Sequence, residues 1–272
     1  MKVVRALAVL ILMSLVPAYS APEKQYGVIY LNGIVNPIVS EYIAESVKSA
    51  ASDRCSYVVL VIDTPGGGMD SMREIIESIH SSDIPVVAYT FPKGARAASA
   101  GGFIMLASDV AAMAPGTNIG AMHPVNILPE FLKGDKDSKT NQVMEKKILN
   151  DAVAYARSLA QESGRNQEWA ENAVKKAVSS SYLEAQRAGV IEIIAEDMDD
   201  LTAKLNGRVI SFKGKKFTFD TAGITDLQYV MTWKQRAVNR VADPQVLLLL
   251  FIIAVAGLWM EIKNPGSEVL HY

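Results

Sequence analysis

One hydroxyl in this chain sits among residues almost too small to pack. Ser99 lies within Gly94-Ala95-Arg96-Ala97-Ala98-Ser99-Ala100-Gly101-Gly102, directly before an apolar run over 103–107 that should start a helix. Small neighbours on both sides let another backbone come very close. A helix start beside the hydroxyl offers unpaired N–H groups and the positive end of the helix dipole. That suits a serine nucleophile whose substrate oxygen turns negative. The same pattern also serves tight helix–sheet packing, so a second segment is needed to carry the chemistry.

That segment is Asp63-Thr64-Pro65-Gly66-Gly67-Gly68, which follows a strand-like run ending at Ile62. Ligands bind in α/β sheets at the carboxyl ends of parallel strands, where glycine-rich turns expose N–H groups. A phosphate loop is the competing reading, but the Lys-Ser/Thr ending it needs is absent. Two such turns meeting at one sheet edge suggest acyl transfer, with Ser99 attacking a carbonyl held by backbone N–H groups. The serine then needs a base. His80 ends an amphipathic helix pattern and reads as a surface residue, and His271 is terminal. His123 follows Pro115-Gly116-Thr117-Asn118-Ile119-Gly120-Ala121-Met122 and stays a candidate. Lys147 is the other, because desolvation beside an apolar stripe eases proton loss from an ammonium. Lys139 and Lys146 lie close by, so spacing does not single it out.

The elements that must position these groups alternate strand and helix. Residues 26–31, 57–62, 85–90 and 110–113 read as strands, with helical spacing over 39–50 and 69–80. This alternation predicts a largely parallel sheet covered by helices. A long helix is expected over 140–163, with Met144, Ile148, Ala152, Tyr155 and Leu159 as its apolar stripe and Gly164 as its stop. Asn166 caps a further helix through about residue 176. Residues 179–188 read as a short helix, 190–195 as a strand and 207–220 as a hairpin.

Both ends carry membrane signals. Residues 1–20 combine Lys2 and Arg5, an apolar stretch and Ala18-Tyr19-Ser20, the order of a secretory signal peptide. An uncleaved anchor is the alternative, though the stretch is short for a span. Residues 244–260 contain no charge and predict a transmembrane segment over 244–262, with 263–272 as a short tail. Residues 226–243 mix Trp233 and Val238 with Lys234, Arg236 and Arg240, as an interfacial helix does. The body, 21–225, is thereby expected outside the cytoplasmic membrane. The 272 residues carry a formal net charge of −2 and a mean hydropathy of +0.15, with no basic cluster to suggest nucleic acid. Cys55, the single cysteine, reads as a buried hydrophobe. No metal-ligand cluster or cofactor motif is visible.

Four motifs taken in order resemble one family. They are Asp-Thr-Pro-Gly-Gly (63–67), Ala-Ala-Ser-Ala-Gly (97–101), Ala-Pro-Gly-Thr-Asn-Ile-Gly-Ala (114–121) and Ser-Leu-Ala-Gln-Glu-Ser-Gly-Arg-Asn (158–166). Together they are similar to the NfeD family, membrane-bound proteases of the Clp-like, signal-peptide-peptidase-A-like group. The resemblance covers residues 25–200 and continues through the apolar span. It implies a Clp/crotonase-type spiral α/β fold and a Ser–Lys dyad. The family's nucleophile matches Ser99, and its lysine, placed relative to the Ser-Leu-Ala-Gln motif, matches Lys147. Its oxyanion hole matches Gly66 and Gly67 with the N–H of Ala100. His123 sits one position past the place of a Clp-type triad histidine. The family's longer members also continue into further membrane helices and a small OB-fold-like domain, whereas this sequence stops at Tyr272.

The resemblance implies a membrane-anchored serine endopeptidase acting on hydrophobic segments of stomatin- or prohibitin-like proteins, self-associating and needing no cofactor. Two other readings stand beside it. One is a crotonase-type acyl-CoA enzyme, disfavoured by export, since CoA is cytoplasmic. The other is an inactive membrane scaffold for stomatin-like assemblies.

Overall fold

The structure, a computed structural model, describes residues 24–124, 139–242 and 244–263. The expected signal peptide over 1–20, His271 and most of the 263–272 tail lie outside these residues.

The first half of the chain lays down the sheet and its first covering layer. It runs β1 (Gln25–Asn32), α1 (Pro37–Ser52), β2 (Val58–Asp63), α2 (Met69–Ser81), β3 (Val86–Thr90), β4 (Arg96–Ala98), α3 (Ala100–Ala107), β5 (Val110–Met113) and β6 (Asn118–Gly120). The second half adds α4 (Lys139–Glu162), α5 (Gln167–Lys175), β7 (Ser179–Ser181), α6 (Tyr182–Arg187), β8 (Ile193–Ile194) and α7 (Met198–Leu205). The hairpin β9 (Val209–Phe212) and β10 (Lys215–Thr218), then β11 (Thr225–Tyr229), α8 (Trp233–Val241) and α9 (Pro244–Lys263), complete it.

The main sheet has the order β11-β1-β2-β3-β5-β8, and every pairing in it is parallel. From β1 to β8 each new strand is added on the same side of the last. The helices between them pack on one face, where Val39, Ile43, Met72, Ile76, Phe103 and Ile104 join one core. This one-directional winding gives the spiral α/β architecture. Strands β2 and β3 are buried almost throughout, as expected for a sheet covered on both sides. The other face is closed by α7 and the hairpin, which bring Leu201, Leu205 and Phe219 onto Tyr57, Val59 and Tyr89.

Local chemistry explains the element starts. Asn36 Oδ1 accepts the Val39 N–H and caps α1, with Pro37 in its first turn. Asn166 caps α5 through the Trp169 N–H, as its position predicts. Gly164 follows α4 in the left-handed region at φ +70°.

Four features differ from the sequence-based expectation. Residues 179–181 form strand β7 before α6, because Ser180 pairs with Ile119 in a small second sheet, β4-β6-β7. Helix α7 has no counterpart in the expected elements. Residues 225–229 form strand β11 beside β1, so the helix expected from 227 begins only at Trp233. In α4, Ala152 and Leu159 are buried and Tyr155 half-buried, but Met144 and Ile148 are exposed. Only the later turns of α4 are covered by neighbouring helices.

Candidate active site

Three strand ends converge on Ser99. At the carboxyl end of β2, Thr64 N–H donates to Arg96 O (2.8 Å) and Ala98 N–H donates to Thr64 O (3.1 Å), which continues β2 against β4. On its other side β4 pairs in parallel with β6, the Asn118-Ile119-Gly120 stretch. Ser99 N–H then donates to Gly120 O at 2.8 Å. The serine backbone is thus pinned just before α3 begins.

Pinning places Ser99 at φ +52°, ψ −113°. A non-glycine residue there is strained, and such strain persists only where the surroundings over-determine it. The side chain does not cap α3, so its hydroxyl is not spent on the helix start. A sharp strand-to-helix turn presenting a serine in this way is the geometry of a nucleophile elbow.

The glycine turn lies against it. A Cβ added to Gly66 would come 2.5 Å from Ser99 Cβ and 2.9 Å from its Oγ. Gly67 is bracketed by Val35, whose N–H donates to Gly66 O and whose O accepts the Gly68 N–H, both at 2.9 Å. The Gly66 N–H is itself taken up by Thr64 Oγ1 at 3.0 Å. Among the described residues, no backbone or side-chain acceptor takes the N–H of Gly67 or of Ala100. Ala100 directly follows Ser99, and Gly67 directly follows the Gly66 that touches it, so both uncommitted donors neighbour this contact in the chain, at the start of a helix whose dipole favours negative charge. Of the three residues expected around an oxyanion, Gly66 packs against Ser99 without a side chain, while Gly67 and Ala100 have N–H groups that no described acceptor takes.

The small residues after Ser99 have a separate task. A Cβ on Gly101 would lie 2.7 Å from Thr64 Cγ2, and one on Gly102 would lie 2.8 Å from Met122 Sδ. They let α3 approach the sheet, so packing and chemistry share one run but divide its residues between them.

The two candidate bases sit differently. After β6, Ala121 N–H donates to Val178 O and Met122 N–H to Ala173 O. His123 then reaches the last turn of α5, its Nδ1 lying 2.9 Å from Val174 O. A carbonyl partner accepts only a proton on Nδ1, and among the described residues Nε2 has no hydrogen-bond partner. Lys147 lies on α4, exposed. The desolvating surroundings expected for its ammonium are not supplied by the described residues, because this part of α4 lies beyond the buried turns. Helices α3 and α4 run side by side in the same direction. Phe103 stacks on Tyr155 at 6.0 Å, and Arg165 just past α4 caps the last carbonyls of α3. From that stacking pair, Ser99 is about 6 Å back along α3 and Lys147 about 12 Å back along α4, in the same direction along both helices. Lys147 also shares a helix face with Asp151 and Tyr155, which meet Arg73 of α2.

Arg165 was not singled out by sequence reasoning, although it lies within a family motif. It is 5 % exposed. Its Nη1 donates to Met105, Leu106 and Ser108 carbonyls at 2.9–3.0 Å, and Nε and Nη2 pair with Glu192 at 2.9 Å. It fixes the far end of the helix that Ser99 begins. Cys55 is buried, as expected, beside the Tyr229 hydroxyl. His80 is exposed at the end of α2. Among the described residues, no group of His, Cys, Asp and Glu could hold a metal ion.

Residues 26–211 match the family model for the NfeD1b N-terminal domain. Membrane-bound protease PH1510 of Pyrococcus horikoshii is 34 % identical over 257 residues, covering 92 % of this chain and 56 % of that protein. Membrane protein NfeD1b of Bacillus subtilis is 24 % identical over 247 residues, covering 90 % and 53 %. The chain thus spans about half the length of these relatives. Among solved structures, a lysine-to-alanine variant of the 1510-N membrane-bound stomatin-specific protease, bound to a substrate peptide, aligns with a TM-score of 0.73 at 32 % identity. That alignment covers 82 % of this chain and all of the other. A serine-to-alanine variant of the same protease aligns at 0.69 and 32 % identity, over 78 % of this chain and all of that one. On the family match and the extent of the PH1510 relationship, the chain belongs to the NfeD1b family, carrying its N-terminal domain.

Proposed function

We propose that this chain is a membrane-anchored serine endopeptidase. The observation that carries the reading is Ser99 held at φ +52° against Gly66, with the N–H groups of Gly67 and Ala100 taken by no acceptor among the described residues. Ser99 Oγ attacks the scissile carbonyl carbon while Lys147, in its unprotonated form, takes the hydroxyl proton. The carbonyl oxygen becomes an oxyanion between Gly67 N–H and Ala100 N–H. Collapse of this intermediate breaks the C–N bond, and the lysine proton goes to the leaving amine. Water, deprotonated by the same lysine, then attacks the acyl ester and releases Ser99.

The dyad reading is supported by the serine and lysine variants of the 1510-N protease and by Lys147 lying toward Ser99 from the Phe103–Tyr155 pair. The substrate class is a hydrophobic segment of a stomatin- or prohibitin-like membrane protein, as the name of that stomatin-specific relative suggests. Helix α9 supports the anchor: residues Val246–Lys263 have a mean hydropathy of 2.2 and are wholly unburied. The catalytic body sits on the extracytoplasmic side of the cytoplasmic membrane. The chain works as a homo-oligomer, for which the exposed Val143, Met144 and Ile148 beside Lys147 supply an unpartnered surface.

The test compares cleavage of an apolar peptide, and labelling of the protein by a fluorophosphonate, in wild type, Ser99→Ala, Lys147→Ala and His123→Ala. Loss of both in the first two variants, with retention in His123→Ala, is expected. Activity that survives Lys147→Ala but vanishes in His123→Ala replaces the dyad by a Ser–His pair. An unlabelled wild type removes the serine mechanism.

A further inference from the structure

The helix α8 is built the wrong way round for a surface helix in water. Its contacts with the body come from polar residues: Asn36 Nδ2 donates to Asn239 Oδ1 at 2.7 Å, and Gln235 Nε2 donates to Glu45 Oε2 at 3.2 Å. Gln235 and Asn239 are four residues apart and share one face. The opposite face carries Trp233, Ala237 and Val241, also spaced by four, with Val238 at its flank. These point away from α1, and Trp233 is 70 % exposed. Lys234, Arg236 and Arg240 border the apolar face, all exposed. A soluble helix buries its apolar stripe and solvates its polar side. Here the assignment is reversed.

We propose that this outward face of α8 is a docking surface for an anionic lipid bilayer, and that it holds the catalytic body against the membrane at a set tilt. Continuity selects the occupant. Three residues after Val241 the chain enters α9, which is long and apolar enough to cross a membrane, so α8 lies where the bilayer begins. An apolar face with Trp at its start and cations at its borders suits the headgroup boundary: the apolar side sinks in and Lys and Arg meet phosphate. The polar contacts set the tilt. Asn36 caps α1, and Val35 directly before it brackets Gly67. The membrane-facing helix is therefore one hydrogen bond and one residue away from the glycine turn.

The inference does not depend on the protease reading, and its test reads no activity. The full chain, with Cys55→Ala and an environment-sensitive fluorophore on the Ala237→Cys thiol, is reconstituted into phosphatidylcholine vesicles with and without phosphatidylglycerol. Lipids brominated near the headgroup should quench the probe about twofold, more strongly with phosphatidylglycerol present, and more than lipids brominated near the bilayer centre. Lys234→Gln with Arg236→Gln and Arg240→Gln should abolish the difference between the two lipids. A probe untouched by brominated lipid overturns the surface, whether it faces water or a second copy of the chain. Quenching that ignores lipid charge in both proteins overturns the anionic preference. Tilt is read by energy transfer from a dye on Lys216→Cys to membrane-surface acceptors. Asn239→Leu should broaden that distance while probe quenching persists; an unchanged distance overturns the bracket.

Discussion

Gly66 and Ser99 are placed so that one cannot carry a side chain without displacing the other: a Cβ on Gly66 falls 2.5 Å from Ser99 Cβ. The contact joins the turn after β2 to the strand-to-helix corner before α3. Gly67, the next residue after that contact, has an N–H that no described acceptor takes. Gly66→Ala should therefore move the nucleophile off its donors while the protein still melts cooperatively. The expected loss is ~10²–10³ in kcat, the scale of a removed oxyanion donor. A wild-type cleavage rate in this variant would sink the coupling.

Thr64 is the hub of the same region. Its Oγ1 donates to Gly33 O at 2.6 Å and accepts the Gly66 N–H at 3.0 Å, while its backbone pairs with β4. Thr64→Val keeps the shape but orphans a buried donor and a half-buried acceptor, costing about 1–3 kcal/mol of stability. It should also lower kcat by about tenfold with KM nearly constant, since the turn rather than a substrate contact is disturbed. Thr64→Ser, which retains the hydroxyl, should recover most of the rate. If the serine variant is as slow as valine, the Cγ2 methyl beside Gly101 matters as much as the hydroxyl, and the hydroxyl alone does not hold the turn.

The buried Arg165 pairs with the half-buried Glu192, and its guanidinium also holds three carbonyls at the end of α3. Arg165→Met leaves Glu192 half-paired and those carbonyls without their donor, a loss of about 3–5 kcal/mol by urea unfolding. Glu192→Gln should cost less, because an amide oxygen still accepts the Ala111 N–H. Equal losses would show that the charge itself, and not the carbonyl cap, dominates.

Asp109 gives a pH signature. Burial pushes its carboxyl above the ordinary range, outweighing the Val86 N–H, Arg165 and His80, which act in the opposite sense. A raised folded-state pKa means that the folded protein holds this proton more tightly than the unfolded chain. The stabilisation is complete below the ordinary carboxylate value and fades as pH rises through the raised one. Asp109→Asn, which still accepts the Val86 N–H, should flatten that decline. Parallel curves of unfolding free energy against pH for the two proteins would contradict the assignment.

How much of this was legible in the sequence varied with the physics behind each signal. The buried strands and the helix at Met69 were readable because period and burial agree locally, as Ile75, Ile76 and Ile79 show. Ser99 and the glycine turn were readable as unusual residue types in unusual company. Strand β4 was not, since Arg96-Ala97-Ala98 earns its extended form only from partners on β2 and β6. Strand β11 was missed for a similar reason: Leu227 and Tyr229 look helical until β1 is seen beside them. The exposure of Met144 and Ile148 was also hidden, because an apolar stripe does not say whether its cover comes from the same chain.

Strand β11 has a consequence for how the molecule is made. Its partner β1 leaves the ribosome first, and the register Gln25↔Thr225 joins positions two hundred residues apart. Until β11 emerges, the outer edge of β1 offers unpaired N–H and C=O groups, an invitation to pair with another chain. That edge closes only when the residues just before α8 and α9 have been synthesised. Completion of the sheet and arrival of the long apolar helix α9 are thus nearly simultaneous events in translation. A chain stalled before residue 225 should expose a sticky edge, and one that passes it closes the sheet and begins its apolar helix within the same few seconds of synthesis.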